Sequence, residues 1–404
     1  MKAVLKPCVP HGRVMAPPSK SMAHRLLIGA ALADGESVIR HVADSDDMRA
    51  TMGCLQALGA TFYKEGDTVR VRGADITRRV GRAYMDCHES GSTLRFLIPL
   101  ALMGGDGATF SGSGKLFSRP LDIYEEIAAK QNLLFDRSEN GVTVGGRLAA
   151  GDYRVVGNIS SQFISGLLFV LPLCAGDSRI LITPPVESRP YIDLTLEALA
   201  IFGIRAEWTD ERTLYIPGGQ TYRPADCMVE GDYSNAAFFS ALSLFGGNVT
   251  VDGLRENSLQ GDRAYIRYFE MLMRGTPTIH LGNCPDLGPI LMAVAAAKSG
   301  AVFCGTRRLK LKESDRGEVM AEELRKFGTS VEVSEDSIVV YPGDFHAPTE
   351  ALFGHNDHRI VMALSVLLTV TGGEIAGAEA VRKSLPEFFD MLQTLGVEVN
   401  MYEA

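Results

Sequence analysis

Residues 19–35 read SKSMAHRLLIGAALADG. A small polar turn opens the stretch, an apolar helix follows, and Asp-Gly closes it. The same plan returns as SGSTLRFLIPLALMGG from Ser90, SSQFISGLLFVLPLCAG from Ser160, DYSNAAFFSALSLFGG from Asp232, PDLGPILMAVAAAKSG from Pro285 and NDHRIVMALSVLLTVTGG from Asn356. The steps between starts are 71, 70, 72, 53 and 71 residues. A fixed period of this kind means one supersecondary unit used repeatedly. A second helix follows each cassette, as in SDDMRATMGCLQALGA from Ser45, RPLDIYEEIAAKQN from Arg119, RPYIDLTLEALAIFG from Arg189 and DRGEVMAEELRKFG from Asp315, with two more near Asp262 and Pro386.

Short alternating runs lie between the helices: TVRVRG from Thr68, GVTVGG from Gly141, RTLYIPG from Arg212 and DSIVVYPG from Asp336. Their period of two marks half-buried strands, with Gly and Asp at the turns. Each repeat therefore reads as strand, helix, strand, helix and hairpin. Three repeats fill about 200 residues, the size of one domain, so the six divide three and three, with the break near residues 228–231. The fourth repeat has only 53 residues before the next cassette, which leaves no room for its outer hairpin.

Composition excludes several functions. The net charge is −9, the wrong sign for a general nucleic-acid binder. Seven cysteines form no C-x-x-C pair, which argues against a zinc site or disulfide framework and for a reducing cytoplasm. The N-terminus MKAVLKPCVPHGRV lacks an apolar run, and GLLFVLPLCAG from Gly166 is too short to span a bilayer.

Within this acidic chain the basic residues gather at helix starts. Lys20, Ser21 and Arg25 open the first cassette; Gly91 and Arg95 open the second, with Arg119 soon after. Lys312, Glu313 and Arg316 stand in KESDR, Arg359 stands in NDHR, and Lys383 follows. Helix N-termini present free N–H groups and a partial positive charge. Several of them lined with Arg and Lys describe a site for phosphate and carboxylate groups.

SKSMAHR, ESGSTLRFL, SRPLD, SSQF, SRPYIDLTL, PDLGP, KESDR, NDHRIVMA and RKSLPEFFDML, in this order from about residue 5 to residue 400, resemble the 5-enolpyruvylshikimate-3-phosphate synthase family. The resemblance implies a two-domain inside-out α/β barrel, each domain three βαβαββ-type repeats with buried helices and outer sheets. The division falls at 16–230 for repeats one to three, and at 1–15 with 231–404 for repeats four to six. It implies transfer of the enolpyruvyl group of phosphoenolpyruvate to the 5-hydroxyl of shikimate 3-phosphate, with phosphate released. No metal or cofactor is expected, nor any nucleic-acid or membrane partner. A cytoplasmic monomer acting on small molecules in aromatic amino-acid biosynthesis is expected, with glyphosate as an inhibitor.

The implied roles fall on matching positions. Lys20, Ser21, Arg25, Ser160, Ser161, Gln162, Ser188, Asp286 and Lys312 match the shikimate 3-phosphate side, with Tyr191 in the same Ser-x-Pro-Tyr turn as Ser188. Lys20, Gly91, Arg95, Arg119, Gln162, Arg316, Arg359 and Lys383 match the phosphoenolpyruvate side. Asp286 is the candidate base for the hydroxyl, and Glu313 and Lys20 are candidates for proton exchange at C3 of phosphoenolpyruvate. The bland readings are a helix cap for Asp286 and a salt bridge to Arg316 for Glu313. Glu89 and Arg308 depart from the pattern, standing where relatives have Asn.

Three other readings are open to the same residues. A UDP-N-acetylglucosamine enolpyruvyl transferase would share the fold, but it carries Lys-Asn at the first helix and a loop Cys after the second cassette. Residues 104–120 contain no Cys. A non-catalytic anion-binding repeat protein would gain nothing from Asp286 and Glu313. A metal site at His355, Asp357 and His358 lacks a further ligand cluster.

Overall fold

The computed structural model describes residues 1–403. The chain forms two compact units, Pro18–Glu230 and Met1–Pro17 with Gly231–Ala404, each with its own apolar core.

In Pro18–Glu230, three helix pairs follow one another. They are α1 (Lys20–Leu32) and α2 (Asp46–Ala57), α3 (Gly91–Ala101) and α4 (Asp122–Lys130), and α5 (Ser161–Val170) and α6 (Arg189–Ile201). The first helix of each pair is one of the cassettes. α1 is buried from Met22 through Leu32, and α5 from Phe163 through Val170. A helix that is apolar on every side belongs inside, so only its polar first turn meets solvent or ligand. The sheets lie outside the helices. In Thr68–Arg72, Val69 and Val71 are fully buried while Arg70 and Arg72 are exposed, the alternation of a strand with one face on the core.

Each sheet of this unit has four strands in one order. A strand runs parallel to the one that follows the buried helix, and a hairpin then pairs antiparallel, as in Ala83–Asp86, Gly105–Ser111, Gly141–Gly146 and Leu134–Ser138. The first sheet is closed from far along the chain: Asp226–Met228, the unit's last strand, runs parallel to Glu36–Arg40.

The other unit repeats the plan with α7 (Tyr233–Leu242) and α8 (Tyr265–Arg274), α9 (Gly288–Ala296) and α10 (Arg316–Arg325), and α11 (His358–Thr371) and α12 (Phe388–Thr394). The fourth repeat is trimmed as its length predicts. α8 ends at Arg274, the next strand begins at Thr278, and Asn248–Asp252 pairs only with His11–Met15 among the described residues. The N-terminal residues complete this unit twice. His11–Met15 supplies the fourth repeat's first strand, and Lys2–Leu5 inserts between Gly373–Ala376 and Val399–Tyr402, with Lys2 opposite Tyr402. No helix among the described residues is long and apolar enough to cross a membrane.

Candidate active site

In Pro18–Glu230 the site residues stand at the starts of the buried helices. Ser19 caps α1, accepting from the Met22 amide, and this places Lys20 in the first turn. The Lys20 ammonium lies 3.0 Å from Asp47 on α2. Arg25, one turn on, is 2% exposed. Its Nε donates to Thr195 Oγ1 at 2.8 Å, Nη1 to the Ser21 carbonyl at 2.6 Å and Nη2 to the Tyr191 carbonyl at 2.9 Å. Burial lowers its pKa to about 10, so the charge persists at neutral pH.

The second cluster gathers around Gly91. A β-carbon there would sit 2.7 Å from Arg119 Nη1 and 3.5 Å from Arg95 Nη1, so the two guanidinium groups converge on the first turn of α3. Arg95 Nη1 donates to Gln162 Oε1 at 2.9 Å, and Gln162 Nε2 donates to Ser92 Oγ at 2.8 Å, which ties α3 to α5. Ser160 caps α5 by accepting the Gln162 amide at 3.3 Å, and Ser161 is buried beside it. Ser188 precedes α6 in the left-handed region, φ 54°, unusual for a residue with a side chain. Glu89 turns towards the loop before Arg119: a β-carbon on Gly114 would lie 2.9 Å from its Cδ.

In the other unit Arg316, the first residue of α10, is the centre. It is 1% exposed and its three nitrogens all meet carboxylates: Nε to Asp357 Oδ2, Nη1 to Asp286 Oδ1 and Nη2 to Glu313 Oε2, each at 2.8 Å. Asp286 also faces Lys312 at 3.0 Å and Arg359 at 3.5 Å. Burial alone would raise the Asp286 pKa, but Arg359, Lys312 and Arg316 hold the carboxyl well below the usual carboxylate range. Arg316 moves the other way: its three carboxylates outweigh burial and strengthen its hold on the proton. Lys312 loses proton affinity, chiefly through burial. Asp357 has two tasks, capping α11 through the Arg359 amide at 3.0 Å and holding Arg316. Lys383 Nζ donates to the Asn356 carbonyl at 2.6 Å, and Arg308, buried, donates to the Gly282 carbonyl at 3.3 Å.

With this geometry in view, comparison with known proteins is direct. The description of the EPSP synthase family (3-phosphoshikimate 1-carboxyvinyltransferase) matches residues 9–392. The chain belongs to the EPSP synthase family. A 3-phosphoshikimate 1-carboxyvinyltransferase of Clostridium kluyveri is 38% identical over 418 residues, 98% of this chain and 97% of its own. One of Clostridium perfringens is 38% identical over 417 residues, 98% of each. The solved EPSP synthase of Acinetobacter baumannii superposes with a TM-score of 0.77 at 20% identity, covering all of both chains, and so does the enolpyruvyl transferase NikO of Streptomyces tendae at 14% identity, covering 100% of this chain and 99% of its own. At those identities the likeness concerns the fold, and it is the two-domain inside-out α/β fold.

Three placements bear on the alternatives that the sequence left open. Asp286 does not cap α9, whose cap position is Leu287; its oxygens go to Lys312, Arg316 and Arg359. Arg316 is held by Asp286, Glu313 and Asp357 within the protein, so the salt bridge to Arg316, the plainer reading of Glu313, is present. His355, Asp357 and His358 do not converge as ligands, because His355 Nε2 meets Glu323 Oε1 at 2.9 Å. Asp47 escaped the sequence reading, and Asp357 was considered there only as a metal ligand and not as the partner of Arg316. Both look like ordinary first-turn or cap acids, although Asp357 stands inside the N-D-H-R motif.

Proposed function

We propose that this chain transfers the enolpyruvyl group of phosphoenolpyruvate to the 5-hydroxyl of shikimate 3-phosphate. The observation that carries the reading is the arrangement of Asp286 and Glu313 on one buried arginine, ringed by Lys312 and Arg359. Binding alone has no use for two carboxylates held among cations, whereas proton transfer in an anion site needs them.

In this reading Lys20, Ser21, Arg25, Ser160, Ser161, Gln162, Ser188, Asp286 and Lys312 hold shikimate 3-phosphate. Lys20, Gly91, Arg95, Arg119, Gln162, Arg316, Arg359 and Lys383 serve phosphoenolpyruvate. Together the substrates bring about five to six negative charges, which these cations neutralise. The 5-hydroxyl oxygen attacks C2 as C3 takes a proton, and the tetrahedral adduct then expels phosphate as C3 returns a proton. Asp286 in its present company is a poor base. Ligand anions that draw Lys312 and Arg359 away would raise its proton affinity, so the base would be switched on by the substrates. Arg316 would act mainly by holding Asp286 and Glu313 in place. The same reading makes the enzyme a cytoplasmic monomer, consistent with seven free cysteines; sedimentation as a dimer would contradict the monomer.

The test is release of inorganic phosphate with shikimate 3-phosphate and phosphoenolpyruvate as the only substrates. Turnover that requires both is expected. No turnover, or turnover with UDP-N-acetylglucosamine in place of shikimate 3-phosphate, would overturn the assignment.

A further inference from the structure

Three hydroxyls and one imidazole form a continuous line inside Pro18–Glu230, behind the residues already assigned. His24 Nδ1 on α1 meets Thr51 Oγ1 on α2 at 2.8 Å. Thr51 Oγ1 meets Thr93 Oγ1 on α3 at 2.7 Å. Thr93 Oγ1 donates to Ser90 Oγ at 2.7 Å, and Ser90 Oγ also accepts the Thr93 amide at 3.3 Å as the cap of α3. None of the four is more than 1% exposed.

A hydroxyl carries one proton. The proton of Thr93 goes to Ser90, so that of Thr51 goes to Thr93, and His24 Nδ1 must supply the proton accepted by Thr51. The line therefore runs one way and selects one tautomer, Nδ1–H with a bare Nε2. Nε2 is buried without a hydrogen-bond partner, and the imidazole ring stands edge-on to Phe96. A proton on Nε2 would be a buried donor with no acceptor, which is costly. Burial, then the charges of Lys20 and Arg25, act in the same direction and hold the imidazole neutral.

The same helices carry a second rung, Lys20 to Asp47. Lys20 and His24 are four apart on α1, as Asp47 and Thr51 are on α2, so the rungs stack one turn apart. One rung sets the ammonium of Lys20. The other reaches through Thr93 and Ser90 to the turn from which Gly91 and Arg95 project.

We propose that His24 is a positioning residue for the phosphoenolpyruvate side: as the Nδ1–H tautomer it orders the hydroxyl line that locks the first turn of α3 to α1 and α2. The proposal rests on the reading that Lys20, Gly91 and Arg95 hold phosphoenolpyruvate. Thr51→Val keeps the shape and removes the middle hydroxyl, while Thr51→Ser keeps the hydroxyl. Thr51→Val should raise the phosphoenolpyruvate KM about ten-fold and leave the shikimate 3-phosphate KM within about two-fold, with Thr51→Ser close to wild type. Nitrogen NMR of histidine-labelled wild type should show His24 protonated at Nδ1 and bare at Nε2 at neutral pH. An Nε2–H tautomer overturns the proposal. So does a Thr51→Val enzyme with an unchanged phosphoenolpyruvate KM, or one in which both KM values rise together. Failure of the wild type to turn over its two substrates would instead sink the underlying reading, and it would be seen before any variant is made.

Discussion

At Gly91 the property in use is size rather than backbone freedom. Its φ lies outside the left-handed region, and an added β-carbon would crowd the far end of the flexible Arg119 side chain, 2.7 Å away, and reach ordinary contact with that of Arg95 at 3.5 Å. Gly91→Ala should therefore fold, with helix propensity in its favour. The displaced guanidinium should raise the phosphoenolpyruvate KM several-fold, by about 1–2 kcal/mol, with little effect on shikimate 3-phosphate. Glyphosate should lose more than the substrate does, and competitive titration of wild type and variant checks both points. At Arg316 the opposite holds, since three carboxylates meet on one buried side chain. Arg316→Met should cost about 3–5 kcal/mol in urea unfolding, because Asp357 would be left buried without its cation. Acid acts on the same group. The folded Asp286 pKa is depressed, so its contribution is complete above the ordinary carboxylate range near 4 and is lost as pH falls through the lower folded value. From pH 7 to about 5 the Asp286 contribution should accordingly stay intact, and it is lost only in stronger acid. Any loss of wild-type stability in that window should come from His24, held neutral in the fold while the unfolded chain takes up a proton below about 6.5. A urea series across pH on wild type and His24→Gln separates the two. At this scale the cations were legible, because Arg and Lys at helix starts in an acidic chain have few other uses. Of their carboxylate partners Asp286 and Glu313 were legible too, whereas Asp47 and Asp357 were not read as partners of Lys20 and Arg316, since both also fit the sequence pattern of helix capping.

Helix α3 shows why a pattern can outweigh a breaker. Pro99 lies inside it and has no N–H for the carbonyl four residues back, which belongs to Arg95. Tyr124 on α4 replaces the missing donor: its hydroxyl lies 2.7 Å from the Arg95 carbonyl and 3.2 Å from that of Phe163. Gly166 on α5 makes the space, for a β-carbon there would collide with the Tyr124 hydroxyl. Tyr124→Phe should leave a buried carbonyl unsatisfied, cost about 1–3 kcal/mol and loosen Arg95. Urea unfolding and the phosphoenolpyruvate KM report these two effects separately. The apolar run and its cap revealed the helix despite the proline, while the tyrosine that makes it tolerable is 25 residues away and carries no local signal. Strands divide in the same way. Thr68–Arg72 and Ser337–Val340 were visible through alternation. Asp226–Met228 and Thr278–His280, three residues each, are too short to show a period and exist through their partners.

For the whole molecule the period predicted six repeats and one trimmed hairpin, because each repeat needs a neighbour to cover its helix. Hidden from that reading was how each set of three repeats is completed. Asp226–Met228 reaches back to the first sheet, and Lys2–Leu5 reaches forward to the last. Such pairings span most of a domain and leave no mark on local sequence. They do mean that the start of the chain lies beside its end, Lys2 against Tyr402. The order in which the repeats are encoded is then one cut through a closed circuit, and the cut can be moved. A permuted gene running 231–404, a short linker and 1–230 would make each unit a single uninterrupted stretch, joined by one covalent crossing in place of two. Adjacent ends tolerate such rewiring. The permutant should fold with both cores intact, and its melting point should drop by about 2–4 °C for each kcal/mol that the linker costs. Calorimetry would show one or two transitions, and phosphate release would show how far turnover depends on the second tether.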